Sequence, residues 1–128
     1  MNHQPCIFCR IISKEIPSKI IAENDSVLVI EDRAPRAPVH YLILSKKHIP
    51  CLTDMQPEDA ILSWQMIAMA QELASRLEDA ETKPDGALAK AGAFNLIINN
   101  GAKAGQSVFH LHMHFIAKRN IYAHGLAL

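Results

Sequence analysis

The chain has 128 residues, with basic and acidic side chains balanced at 13 each and three cysteines. That length suits a single domain, residues 1–128, able to bury a core without disulfide staples. The balanced charge supplies no basic footprint for nucleic acid and no polyanionic tail. No apolar run approaches the roughly 20 residues of a membrane helix, and Met1-Asn2-His3-Gln4-Pro5 lacks the basic and apolar regions of a secretory leader. The expectation is a cytoplasmic protein without a membrane partner.

In chain order, residues 6–15 suit a short helix closed by Ile16-Pro17. Residues 19–23 and 27–32 read as a strand hairpin around the turn Asn24-Asp25-Ser26. The prolines of residues 33–38 cannot donate to a ladder, so a third strand resumes at 39–45. Gln56-Pro57-Glu58-Asp59 has proline and acids where a helix starts. The helix predicted over 57–78 carries Leu62, Met66, Met69, Leu73 and Leu77 as one apolar stripe, widened by Ile61, Trp64, Ile67 and Ala68. Residues 79–92 read as a loop, 94–99 as a fourth strand, 100–105 as a glycine-bearing turn and 109–116 as a fifth strand. One long and one short helix beside a five-stranded, mostly antiparallel sheet make an α+β architecture.

The chemistry concentrates in the last strand. His110, His112 and His114 alternate with Leu111, Met113 and Phe115, and alternate positions of a strand share a face. One side therefore packs into a core, and the other presents a row of imidazoles able to divide the tasks of nucleophile, proton carrier and anion partner. Gly105-Gln106-Ser107, just before the row, suits an anion-binding concavity of backbone amides, with phosphate as the natural guest. Asp32 can accept hydrogen bonds from both hydroxyls of a ribose, or is a turn aspartate at a strand end.

The stretch from Gly105 through Ser107-Val108-Phe109-His110-Leu111-His112-Met113-His114 resembles the signature of the histidine-triad superfamily. Ile7-Phe8 with Ile11-Ile12, Glu15-Ile16-Pro17, Asp32, Ala34-Pro35, Ala37-Pro38-Val39-His40 and Lys46-Lys47-His48-Ile49 are similar, in order, to its nucleotide-binding branch. The resemblance implies hydrolysis of purine nucleoside 5′-phosphoramidates or aminoacyl adenylates through a nucleotidyl-histidine intermediate, without a catalytic cofactor, by a homodimer whose sheets join. It implies His112 as nucleophile, held in one tautomer by the His110 carbonyl. His114 and His40 are then phosphate contacts, and Ser107 assists the leaving amine. Asn99, Gly105, Gln106 and Ser107 complete the phosphate site, Asp32 takes the ribose, and Ile7, Phe8, Ile11 and Ile30 form the base slot, though each of these four also suits a core. Dinucleoside polyphosphate hydrolysis and a non-catalytic nucleotide-binding module are the alternatives.

Cys6-Ile7-Phe8-Cys9 has the two-residue spacer of a tetrahedral zinc site if two further ligands converge, and otherwise holds two buried thiols. His48 and His110 are the candidates, as in bacterial members that this chain resembles. Such a zinc is structural, because four protein ligands leave no coordination position for water. Cys51 has no partner at ligand spacing and reads as a small core residue. Three departures from the branch concern specificity: Phe115-Ile116-Ala117-Lys118-Arg119 after the triad, Arg33 beside the base slot, and a short tail, residues 121–128, without tryptophan.

Overall fold

Residues 6–78, 80–82, 84–86 and 88–123 are described by the structure, a computed structural model. Helix α1 (Ile7–Ile12) precedes strands β1 (Ile20–Glu23), β2 (Val27–Glu31) and β3 (Val39–Ser45). Helix α2 (Ala60–Ser75), strands β4 (Ala80–Thr82), β5 (Leu88–Gly92), β6 (Phe94–Ile97) and β7 (His112–Ala117) follow. The main sheet runs β1-β2-β3-β7-β6, and β4 and β5 form a separate pair. All the pairings are antiparallel, which gives the α+β fold.

The two-residue period of the strands sorts side chains into two layers. Val27, Val29, Ile43, Met113, Phe115 and Ala117 join Met66, Met69 and Leu73 of α2 in one buried cluster. Leu28, Ile30, Leu42 and Leu44 join Phe8 and Ile11 of α1 in the other. Val27 through Ile30 are buried on both faces, each contributing roughly 1.5–3 kcal/mol of apolar burial. In the first layer Phe115 stacks between Tyr41 and Phe94.

Four segments differ by three residues or more from the reading of the sequence. α1 ends at Ile12 because Lys14 turns left-handed, at φ 68°, and the N–H groups of Glu15 and Ile16 fold back onto the Arg10 carbonyl. α2 begins after a single 3₁₀ turn, Pro57–Asp59, and ends at Ser75. The span 79–92 is not a plain loop, since β4 and β5 pair around residues 84–86 with Gly86 at φ +87°. The last strand begins at His112, because the ladder with β3 runs out there: the Leu111 carbonyl still accepts from the Ser45 N–H at 3.4 Å, but the Leu111 N–H turns away. The Leu111 N–H instead donates to the Ile49 carbonyl at 2.6 Å. The alternation of faces still holds across that break. Residues 124–128, most of the predicted tail, lie outside the described residues, among which no helix is long and apolar enough to cross a membrane.

Candidate functional site

On the α1 side of the sheet, a cleft of about 280 Å³ opens over the carboxyl end of β2 and the first halves of β3 and β7, near the lower end of small-ligand clefts, roughly 300 Å³ upward. Its walls include Ile7, Phe8, Ile11 and Ile30 at one end, Asp32 and Arg33 at the rim, and His40, Asn99, Gly105, Ser107, His112 and His114 at the other. Register explains the convergence. His112 pairs with Leu44 and His114 with Leu42 across β3, so His40, two residues back on the same face as Leu42, reaches His114. Leu42, Val108, Ser18 and Arg36 also line the cleft and were not singled out in the sequence. The period-two face shared with His40 marks Leu42.

His112 is buried, with Nδ1 2.6 Å from the His110 carbonyl. A carbonyl only accepts, so the proton sits on Nδ1 and Nε2 carries the lone pair. The edge of the Phe8 ring packs against His112, with centroids 5.1 Å apart, which fixes the imidazole plane. Burial holds His112 below the usual histidine range against the pull of the His110 carbonyl and Asp32. The ring is neutral at neutral pH and keeps that lone pair.

The glycine loop is built differently from an open amide cradle. The Gly105 N–H donates to the Ala102 carbonyl at 3.0 Å and the Gln106 N–H to the Gly101 carbonyl at 3.1 Å, so both amides are spent inside the turn. Of the three, the Ser107 N–H has no partner among the described residues. Gly105 is left-handed, at φ +96°, while a Cβ there meets nothing nearer than Asn99 Nδ2 at 3.7 Å. Glycine is required there for backbone conformation and not for space. Gln106 is 4% exposed and does not line the cleft. Its Nε2 donates to the Pro50 and Val108 carbonyls at 2.8 and 3.0 Å, and its Oε1 accepts from the Gly101 N–H at 2.7 Å. Cys51, half-buried and outside the core, adds its thiol to the same oxygen at 3.3 Å. Gln106 is therefore a clamp that holds the Ser107 segment against the loop after β3.

Behind the triad, Cys6, Cys9, His48 and His110 bring four ligand atoms within 4.8 Å of one another. Cys6 Sγ and His110 Nδ1 are 3.2 Å apart, Cys9 Sγ and His48 Nδ1 3.3 Å, Cys9 Sγ and His110 Nδ1 3.5 Å, and the two imidazole nitrogens 3.1 Å. Tetrahedral zinc bonds of about 2.3 Å to sulfur and 2.0–2.1 Å to nitrogen separate neighbouring ligands by roughly 3.3–3.8 Å, so the spacing fits. The donor chemistry fits as well. His110 Nε2 donates to the Ser45 carbonyl at 2.6 Å, which leaves Nδ1 as a lone pair aimed into the cluster and supplies the outer hydrogen bond that metal-bound histidines use. Burial lowers His110 to about 4, and burial with the adjacent Cys6 pushes the Cys9 thiol up to about 11. Two thiolates this close need a cation between them. The Lys47 ammonium, 2.6 Å from Asp59, ties the segment carrying His48 to the start of α2.

The fold, the histidine row and this cluster place the chain in one class, and comparison with known proteins agrees. Residues 13–121 match the HIT domain, and the chain belongs to that family, the histidine-triad superfamily. It is 41% identical over 113 residues to an uncharacterised HIT-like protein of Synechocystis sp., covering 88% of this chain and 90% of the relative. A HIT family hydrolase from Clostridium thermocellum superposes with a TM-score of 0.80 at 35% identity, over 94% of this chain and 96% of that one. A zinc-bound histidine triad family protein from Mycobacterium smegmatis gives 0.71 at 35% identity, over 90% and 76%.

Proposed function

We propose that the protein hydrolyses nucleoside 5′-phosphoramidates or aminoacyl adenylates to the nucleoside monophosphate. The observation that carries this reading is the His110 carbonyl on His112 Nδ1, which leaves an unprotonated Nε2 in a cleft that also holds Asp32, Asn99 and Ser107. The lone pair on Nε2 attacks the α-phosphorus as the bond to the amine nitrogen breaks. The Ser107 hydroxyl passes a proton, replaced from solvent, to the departing amine, which would otherwise leave as a strongly basic anion. Water then attacks the same phosphorus and gives up a proton to solvent, the bond to Nε2 breaks, and His112 regains its lone pair. Asp32 accepts from the ribose hydroxyls, and the apolar residues from α1 and β2 hold a purine base.

In this reading Cys6, Cys9, His48 and His110 hold a zinc that braces α1 against the histidine segment and takes no part in the chemistry. The chain works as a homodimer. Ile61, Trp64 and Ile67 of α2 are 74%, 57% and 42% exposed, and β6 ends the sheet; both surfaces can meet their own copies across a two-fold axis.

Incubation with a fluorogenic adenosine phosphoramidate beside diadenosine polyphosphates tests the substrate class. Release of the amine, with His112→Ala slower by about a thousandfold or more at near-unchanged nucleotide affinity, is the expected result. Preference for the diadenosine compounds, or tight nucleotide binding without turnover, would replace the reading with a dinucleotide hydrolase or a binding module.

A further inference from the structure

His40 is 3% exposed, and both of its ring nitrogens are engaged within the protein. The Arg36 backbone N–H donates to Nδ1 at 3.0 Å, so in the neutral ring the proton sits on Nε2. That nitrogen lies 3.0 Å from His114 Nδ1 and 3.4 Å from Asp32 Oδ2. The shorter contact takes the proton, so His114 Nδ1 accepts and the His114 proton is left on Nε2. Asp32, His40 and His114 are spaced closely enough for a metal ion, yet the Arg36 N–H on Nδ1 argues against one, since a neutral imidazole ligating through Nε2 must carry its proton on Nδ1. Burial lowers both His40 and His114, the latter to about 4, which keeps the two rings neutral at neutral pH.

Building on the phosphoryl chemistry above, we propose that His40 is a positioning residue that acts through His114, fixing it as an Nε2–H donor toward the substrate phosphate without touching the phosphate itself. In the opposite tautomer His114 would turn a lone pair on the phosphate oxygens, a repulsion where a donor is needed. The template for this choice is the backbone of the 33–38 loop. Arg36 supplies the N–H that sets His40, the Ala34 N–H bonds Asp32 Oδ1 at 2.8 Å, and the Arg119 guanidinium donates to the Arg36 carbonyl. Arg119, in the stretch where the chain departs from its branch, thus braces the loop that sets the tautomer.

Two conservative variants separate this role from simple anchoring of the loop. His40→Gln keeps an N–H near the former Nε2, within reach of His114. His40→Asn keeps an acceptor near the former Nδ1 for the Arg36 N–H but does not reach His114. Phosphoramidate turnover should survive within about tenfold in His40→Gln and fall by about a hundredfold in His40→Asn, with little change in KM for either. Long-range ¹H–¹⁵N NMR should find the His114 proton on Nε2 in the parent protein and mixed between the nitrogens in His40→Asn. A parent protein with that proton on Nδ1, an unchanged His114 tautomer in His40→Asn, or His40→Asn at least as active as His40→Gln would overturn the proposal. If neither variant folds, the parent spectrum decides alone. If the parent cleaves no phosphoramidate, the substrate reading fails while the tautomer measurement still judges His40.

Discussion

His110 and His112 are joined through the backbone of the first and the ring of the second, with the His110 carbonyl 2.6 Å from His112 Nδ1. The His110 ring, on the same face as His112, carries its Nδ1 among Cys6, Cys9 and His48. One residue thus belongs to both the cluster and the reacting row, so the order of the cluster is transmitted to the plane of the neighbouring ring.

The first consequence is measurable on the metal. Protein purified without chelator should contain about one zinc per chain, and Cys6→Ser with Cys9→Ser should lower both zinc content and melting temperature, because structural zinc binding is folding free energy. Elemental analysis with calorimetry checks this. An unchanged melting temperature in the double variant would return both cysteines to the status of buried thiols.

Gln106 makes three hydrogen bonds to backbone groups from a buried site. Gln106→Leu keeps comparable bulk but strands the Gly101 N–H and two carbonyls, at about 1–3 kcal/mol for each group left unpaired. Urea unfolding should show a loss of about 3 kcal/mol, and turnover should fall with the loosened Ser107 segment. A neutral substitution would mean that the clamp is dispensable.

Ser107→Ala should slow cleavage of an alkylamine phosphoramidate far more than that of a substrate with an aryl leaving group, since proton delivery matters most when the departing atom is basic. Parallel rate measurements on the two substrates decide it. Equal losses would mark Ser107 as a binding residue.

Acid should weaken the fold through His114. Burial first, then the neighbouring His112 and His40, lower its folded value to about 4, while the unfolded ring titrates near 6.5. Between those values the unfolded chain binds more protons, so stability rises with pH. It is fully present above about 6.5 and is lost as pH falls toward 4. Melting temperatures over that window should decline on acidification, and His114→Gln should make the decline shallower, His110, His112 and His40 carrying the rest. A parallel slope in the variant would assign the effect to other groups.

Association is expected through α2 and β6. Light scattering at micromolar concentration should give twice the chain mass, and Trp64→Glu should shift the population toward monomer. A monomer mass for the parent chain would remove the dimer.

Much of this was readable in advance, because periodicity carries it. Leu111, Met113 and Phe115 against His112 and His114, and Met66, Met69 and Leu73 along α2, need nothing beyond periods of two and 3.6. What escaped depends on partners distant in sequence. The start of β7 is set by where β3 stops, and no local pattern around His110 contains that. Gln106 looks like a loop residue until Pro50 stands beside it. The β4 and β5 pair hides behind the turn residues Pro84-Asp85-Gly86, which signal a loop as readily as a hairpin. The two ways His110 faces follow from a carbonyl and a ring bonded to different elements.

The pairing of β3 with β7 joins residues 39–45 to residues 112–117, across more than half of the chain. Contacts of such wide sequence separation form slowly, because a long loop must close before any of them is made. His40 stands on one of these strands and His112 and His114 on the other. The pairing that completes the central sheet is therefore also the one that assembles the site. A chain cut short of His114 lacks most of β7, and with it the pairing that brings these histidines into one cleft.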